Sequence, residues 1–104
     1  MKPEKTFGDT VKKLREEKKL TLREVACALS IDTSMLGKIE KNSRRPTKIL
    51  IGGFAKFFDV STKDLTIAYL SDSVAYQMME EEYANEVLRL AEEKVNYLKT
   101  KKTA

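Results

Sequence analysis

Histidine and tryptophan are absent from this 104-residue chain, and cysteine occurs once. Without histidine there is neither a Ser/His or Cys/His nucleophilic pair nor an imidazole metal site. The lone Cys27 can form no internal disulfide. Between Ala26 and Ala28 it reads as a small, half-buried hydrophobe without a role. No apolar run is long enough to span a bilayer and no secretory leader is visible, so the chain reads as cytosolic. Alternation of apolar and polar residues never lasts more than a few positions, so no strand is expected. The carboxylates fall in runs such as Glu80-Glu81-Glu82, which suit a solvated helix surface better than acid–base chemistry. Nothing here points to an enzyme, a metal, a cofactor or a small-molecule ligand.

What is present is helical and basic at one end. Residues 1–48 carry 13 Lys/Arg against 7 Asp/Glu, whereas residues 49–104 carry 7 against 9. The most informative stretch is TLREVACALSIDTSMLGKIEKNSRRP, residues 21–46. Thr21 and Glu24 form a capping box that starts a helix with Val25, Ala26 and Leu29 on one face. Ser30 stands at the turn, Ile31 plugs it, and Asp32 is a good N-cap for a second helix. Leu36 and Ile39 of that helix point to the core. Thr33, Ser34, Gly37, Lys38 and Lys41 are left outward, a small, polar and basic face without an acid. Such a face suits a DNA major groove, where side chains must reach base edges without steric bulk. The positive field of residues 1–48 lies where contact with a polyanion is expected.

The remaining elements follow from caps and periodicity. Thr6 caps a first helix to about Lys19, with Phe7, Val11 and Leu14 inward. Asn42-Ser43 offers a left-handed stop to the third helix. Thr47 caps a fourth helix to about Phe58, rich in Ile, Leu and Phe. Its Gly52-Gly53 pair suggests close approach of another helix. Ser61 with Asp64 caps a fifth helix through about Leu70, and Ser71-Asp72-Ser73 starts another helical piece. Beyond it, Ala84, Leu88, Ala91, Val95 and Leu98 follow a heptad seam. The expected architecture is all-α: a five-helix unit over residues 1–70, then a helical extension over 71–104 that serves dimerisation. Phe54 and Phe57 would add to the dimer contact. The extension could instead fold back on its own domain.

Residues 7–65 resemble the helix-turn-helix domain of the lambdoid phage repressor/Cro (Xre-type) family. The resemblance rests on LREEK, TLREVACAL, MLGKIE, RRP and FDVSTKDL in that order. It implies a two-fold homodimer that recognises a pseudo-palindromic operator in double-stranded DNA. By position it implies that Thr33, Ser34 and Lys38 read bases and that Thr21, Arg23, Lys41, Arg44 and Arg45 contact phosphates. It also implies that Arg15 and Glu40 form a partly buried ion pair tying the first helix to the third. The chain departs from the family pattern at Leu22, where Gln is common. Lys19 and Ser30 stand where Gly is usual, and Gly37 lies inside the recognition helix. As a whole it is similar to small regulators found beside DNA methyltransferase genes in restriction-modification loci. Two other readings remain open: an antitoxin-type protein whose tail binds a partner protein, and a co-activator-like adaptor. The polar outer face of the third helix speaks against the adaptor.

Overall fold

A computed structural model of the chain describes residues 5–103. It contains six helices and, among the described residues, no strand. They are α1 (Phe7–Glu17), α2 (Leu22–Ala28), α3 (Thr33–Glu40), α4 (Lys48–Phe58), α5 (Thr62–Met78) and α6 (Ala84–Thr103). The chain forms two compact units, Met1–Ser73 and Val74–Ala104.

Each helix of the first unit starts on a residue suited to satisfying orphan backbone N–H groups. The Asp9 N–H donates to Thr6 Oγ1, the Leu50 N–H to Thr47 Oγ1 and the Asp64 N–H to Ser61 Oγ. At α2 the box is reciprocal: Glu24 N–H donates to Thr21 Oγ1 at 3.1 Å, and Thr21 N–H donates to Glu24 Oε1 at 3.0 Å. Asp32 occupies the N-cap position of α3, but its carboxylate accepts no cap hydrogen bond.

The first four helices also end alike. Lys19, Ser30, Asn42 and Asp59 take left-handed backbone with φ between 55° and 62°. Each donates its N–H to a carbonyl three residues back, and the following residue donates five back, as Ile31 does to Ala26 at 3.0 Å. This is the Schellman closure, which satisfies the last free carbonyls of a helix. At three of the four ends the following residue is apolar (Leu20, Ile31 and Val60) and packs on the core.

That core draws on α1 to α5: Phe7, Val11, Val25, Leu36, Ile39, Phe54 and Leu65 are at most 2% exposed. Each such side chain contributes on the order of 1.5–3 kcal/mol by leaving water. Phe7 meets Phe54 and Tyr69 edge to face, at centroid distances of 6.2 and 5.6 Å, which joins α1, α4 and α5.

Several expectations change. The fifth helix does not stop at Leu70 but runs unbroken to Met78. No glycine or proline interrupts residues 61–78, and the Ser71 and Ser73 hydroxyls turn back onto the Ala68 and Tyr69 carbonyls instead of capping a new helix. Phe54, expected at a dimer contact, is 0% exposed and belongs wholly to the core; Phe57 is half-buried. Cys27 is exposed, because the short α2 buries only Val25 and Ala26. Close helix approach does not require the glycine pair: a Cβ at Gly53 would only reach van der Waals contact with the Leu29 side chain at 3.4 Å, and Gly52 faces open space. Ile49, within the apolar run of α4, is 88% exposed.

Candidate nucleic-acid interface

Helix α3 is eight residues long and is fixed from behind by Leu36 and Ile39. Because side chains three apart share a helix face, burying that pair turns the other faces out. Thr33, Ser34, Lys38 and Lys41 are all exposed. Gly37 stands among them with nothing within 4 Å of where a Cβ would be. The turn before α3 is set by Ser30 in left-handed backbone, and Ile31 is half-buried behind it.

The cations named from the sequence are exposed as well. Arg23 lies in the first turn of α2, and Arg44 and Arg45 precede the buried Pro46 in the loop to α4. Thr21 is exposed, and its Oγ1 accepts the α2 cap bond. A hydroxyl that accepts still has its own hydrogen to donate. A depression between α1, the start of α2 and the outer side of α3 is lined by Lys12, Leu22, Gly37 and Lys41, among others. Leu22 makes that rim apolar where an amide could have donated.

Three ties from α1 hold α3. Arg15 Nε donates to Glu40 Oε2 at 2.8 Å and Nη2 to Glu40 Oε1 at 3.0 Å, a bidentate pair with side chains 12% and 5% exposed. Arg15 Nη1 also donates to the Leu20 carbonyl at 2.9 Å. The bond to Glu40 raises the Arg15 guanidinium above its ordinary pKa against the opposing effect of burial, so the pair keeps its positive member.

The other two ties are not apparent from the sequence. Asn42, just past α3, accepts from the Gly8 N–H at 3.0 Å and donates to Thr6 Oγ1 at 2.9 Å. Gly8 itself lies against the end of α3: a Cβ there would sit 2.6 Å from the Ile39 carbonyl oxygen and 2.7 Å from Asn42 Oδ1. A further bond reaches α1 from α5, where Asp72 Oδ2 accepts the Phe7 N–H at 2.6 Å. A carboxylate at a helix N-terminus also meets the positive end of the macrodipole. The only sequence signals for these contacts are a glycine in the first turn of α1 and an Asn at a helix stop.

Residues 11–65 match the helix-turn-helix family, more than half of the chain. The protein belongs to the Xre-type, lambda repressor-like helix-turn-helix family. Members are DNA-binding transcriptional regulators. Neither the curated proteins nor the solved structures include a significant match. No helix among the described residues is long and apolar enough to cross a membrane. No His/Cys/Asp/Glu group among them could hold a metal ion.

Proposed function

We propose that this Xre-type protein acts as a homodimer on a pseudo-palindromic operator and controls its own gene or a neighbouring one. The observation that carries the reading is the α3 surface, where small polar and basic side chains stand exposed on a helix locked from behind. Thr33, Ser34 and Lys38 read base edges in the major groove. Thr21, Arg23, Lys41, Arg44 and Arg45 hold the phosphates on either side. One such helix reads only a few base pairs, so two copies must be held about 34 Å apart to enter successive major grooves. Helix α6 supports the dimer, since its Leu88, Val95 and Leu98 are 39–60% exposed along one seam that Ala84 and Ala91 share.

Selection from a random DNA pool tests the reading, followed by two substitutions. Lys38→Ala should alter the preferred base at one half-site position and cost about 1–3 kcal/mol there. Arg45→Ala should weaken all sequences about equally. Uniform loss in both would remove Lys38 from base reading, and failure to enrich any sequence would remove the operator. The same exposed α6 seam supports a second reading, an antitoxin-type protein that holds a partner through its C-terminal helix. Co-expression with neighbouring gene products separates the two, because only the antitoxin co-purifies with one of them.

A further inference from the structure

We infer that α6 pairs with α6 of a second copy, and that the two helices run antiparallel. The inference rests on the dimer proposed above and specifies how that dimer is held. Val87, Leu88, Leu90, Val95, Tyr97 and Leu98 are each between 39% and 62% exposed on a 20-residue helix that has no buried residue. At on the order of 100 Å² each, they supply most of the roughly 800 Å² per partner that a standard interface buries. Lys94 and Lys101, one and two heptads after Val87, fall within the same stripe, where their aliphatic stems extend it while their ammonium groups reach water.

Charge decides both the occupant and its direction. Within α6, residues 84–93 carry three Glu and one Arg, while residues 94–103 carry four Lys and no Asp or Glu; Glu80, Glu81 and Glu82 lie just before the helix. A parallel, in-register partner would set the acidic half against an acidic half and the four ammonium groups against four. An antiparallel partner sets each acidic end against a basic one and also opposes the two helix dipoles. The helix is therefore complementary to its own reverse.

The test uses the full chain with Cys27→Ser, followed by sedimentation at low salt. Lys94→Glu, Lys101→Glu and Lys102→Glu together make both ends acidic. The dimer dissociation constant should rise at least about tenfold, since several pairs turn from attraction to repulsion. Adding Glu81→Lys, Glu82→Lys and Glu86→Lys reverses the polarity and should bring the constant back to within about threefold of the starting chain. Spin labels on Asn85→Cys should lie about 25 Å apart, from the 1.5 Å rise per residue either side of the helix midpoint. A parallel pair would show labels within about 15 Å and a constant that does not rise with the first charge set, which overturns the inference. A dimer that binds its operator but ignores the charge reversals also overturns it, and leaves the proposed function standing. A chain that sediments as a monomer at all concentrations removes the dimer itself.

Discussion

Among the described residues four that are not glycine hold left-handed backbone, and only Asn42 adds side-chain hydrogen bonds there. Lys19, Ser30, Asn42 and Asp59 are left-handed, while all four glycines lie inside helices and none has positive φ. A left-handed L-residue costs about 1–2 kcal/mol, part of which a glycine returns by loosening the unfolded chain. Lys19→Gly and Ser30→Gly should each stabilise the fold by about 0.5–1 kcal/mol, seen as a later urea midpoint at an unchanged slope. Asn42→Gly should do the reverse. Its side chain bonds both Gly8 and Thr6, and removing it leaves the Gly8 N–H without that acceptor. A destabilisation of about 1–2 kcal/mol is expected by the same measurement, and a gain would remove the clamp from the account. Gly37, in contrast, has open space where a Cβ would go. Gly37→Ala should stabilise α3 by about 0.5–1 kcal/mol. Any change in base preference that comes with it would show that the added methyl group meets the groove.

At the scale of elements, α3 is positioned by α1 at least as much as by its own partner α2. The Arg15–Glu40 pair, the Asn42 clamp and the Gly8 contact all join these two helices. Glu40→Ala strands the Arg15 guanidinium in a site where it is 12% exposed, and should cost about 3 kcal/mol in thermal or urea unfolding. Arg15→Met with Glu40→Leu should cost much less, because the burial penalty of both charges is lifted together. Equal losses in the single and double variants would mean that packing, not charge, makes the tie. Gly8→Ala should be damaging even though alanine favours helix, since its methyl group would press on the end of α3. These ties explain which parts of the fold are legible in the sequence. Helix starts are local, so Thr6, Thr21, Thr47 and Ser61 mark them directly. The Arg15–Glu40 bond spans 25 residues and the Phe7–Asp72 bond 65, and no periodicity reports a contact between such distant positions. The first is suggested only by family resemblance. The second is hidden because Asp72 in SDS looks like a helix start, although its carboxylate caps a helix elsewhere. The same ambiguity hides the length of α5. Phe54 and Phe57 look alike in the apolar pattern of α4, and only packing decides that Phe54 is core.

At the scale of the whole molecule the cations are unevenly shared, 13 Lys/Arg in residues 1–48 against 7 in residues 49–104, while the acids are spread almost evenly, 7 against 9. Lys38, Lys41, Arg23, Arg44 and Arg45 are exposed in each copy, so a dimer presents ten cations for the two half-sites. Each phosphate contact releases condensed counterions, and log K should fall with log salt at a slope of about −0.9 per contact. If about four of the five cations in each copy reach phosphates, the dimer's slope is about −7, and affinity falls roughly 10⁴-fold between 50 and 200 mM salt. Because none of the residues assigned to DNA contact lies in α6, Leu88→Glu with Val95→Glu should leave these contacts intact while separating the copies. The doubly substituted protein should then bind one half-site at a time, with a slope of about half the dimer's and a far lower affinity. Titrating both proteins onto the selected operator at four or five salt concentrations distinguishes the cases. Equal slopes and affinities would take α6 out of DNA recognition. A flat response in the unsubstituted protein would show that the cations around α3 do not meet phosphates, and the positive half of the chain would need another partner.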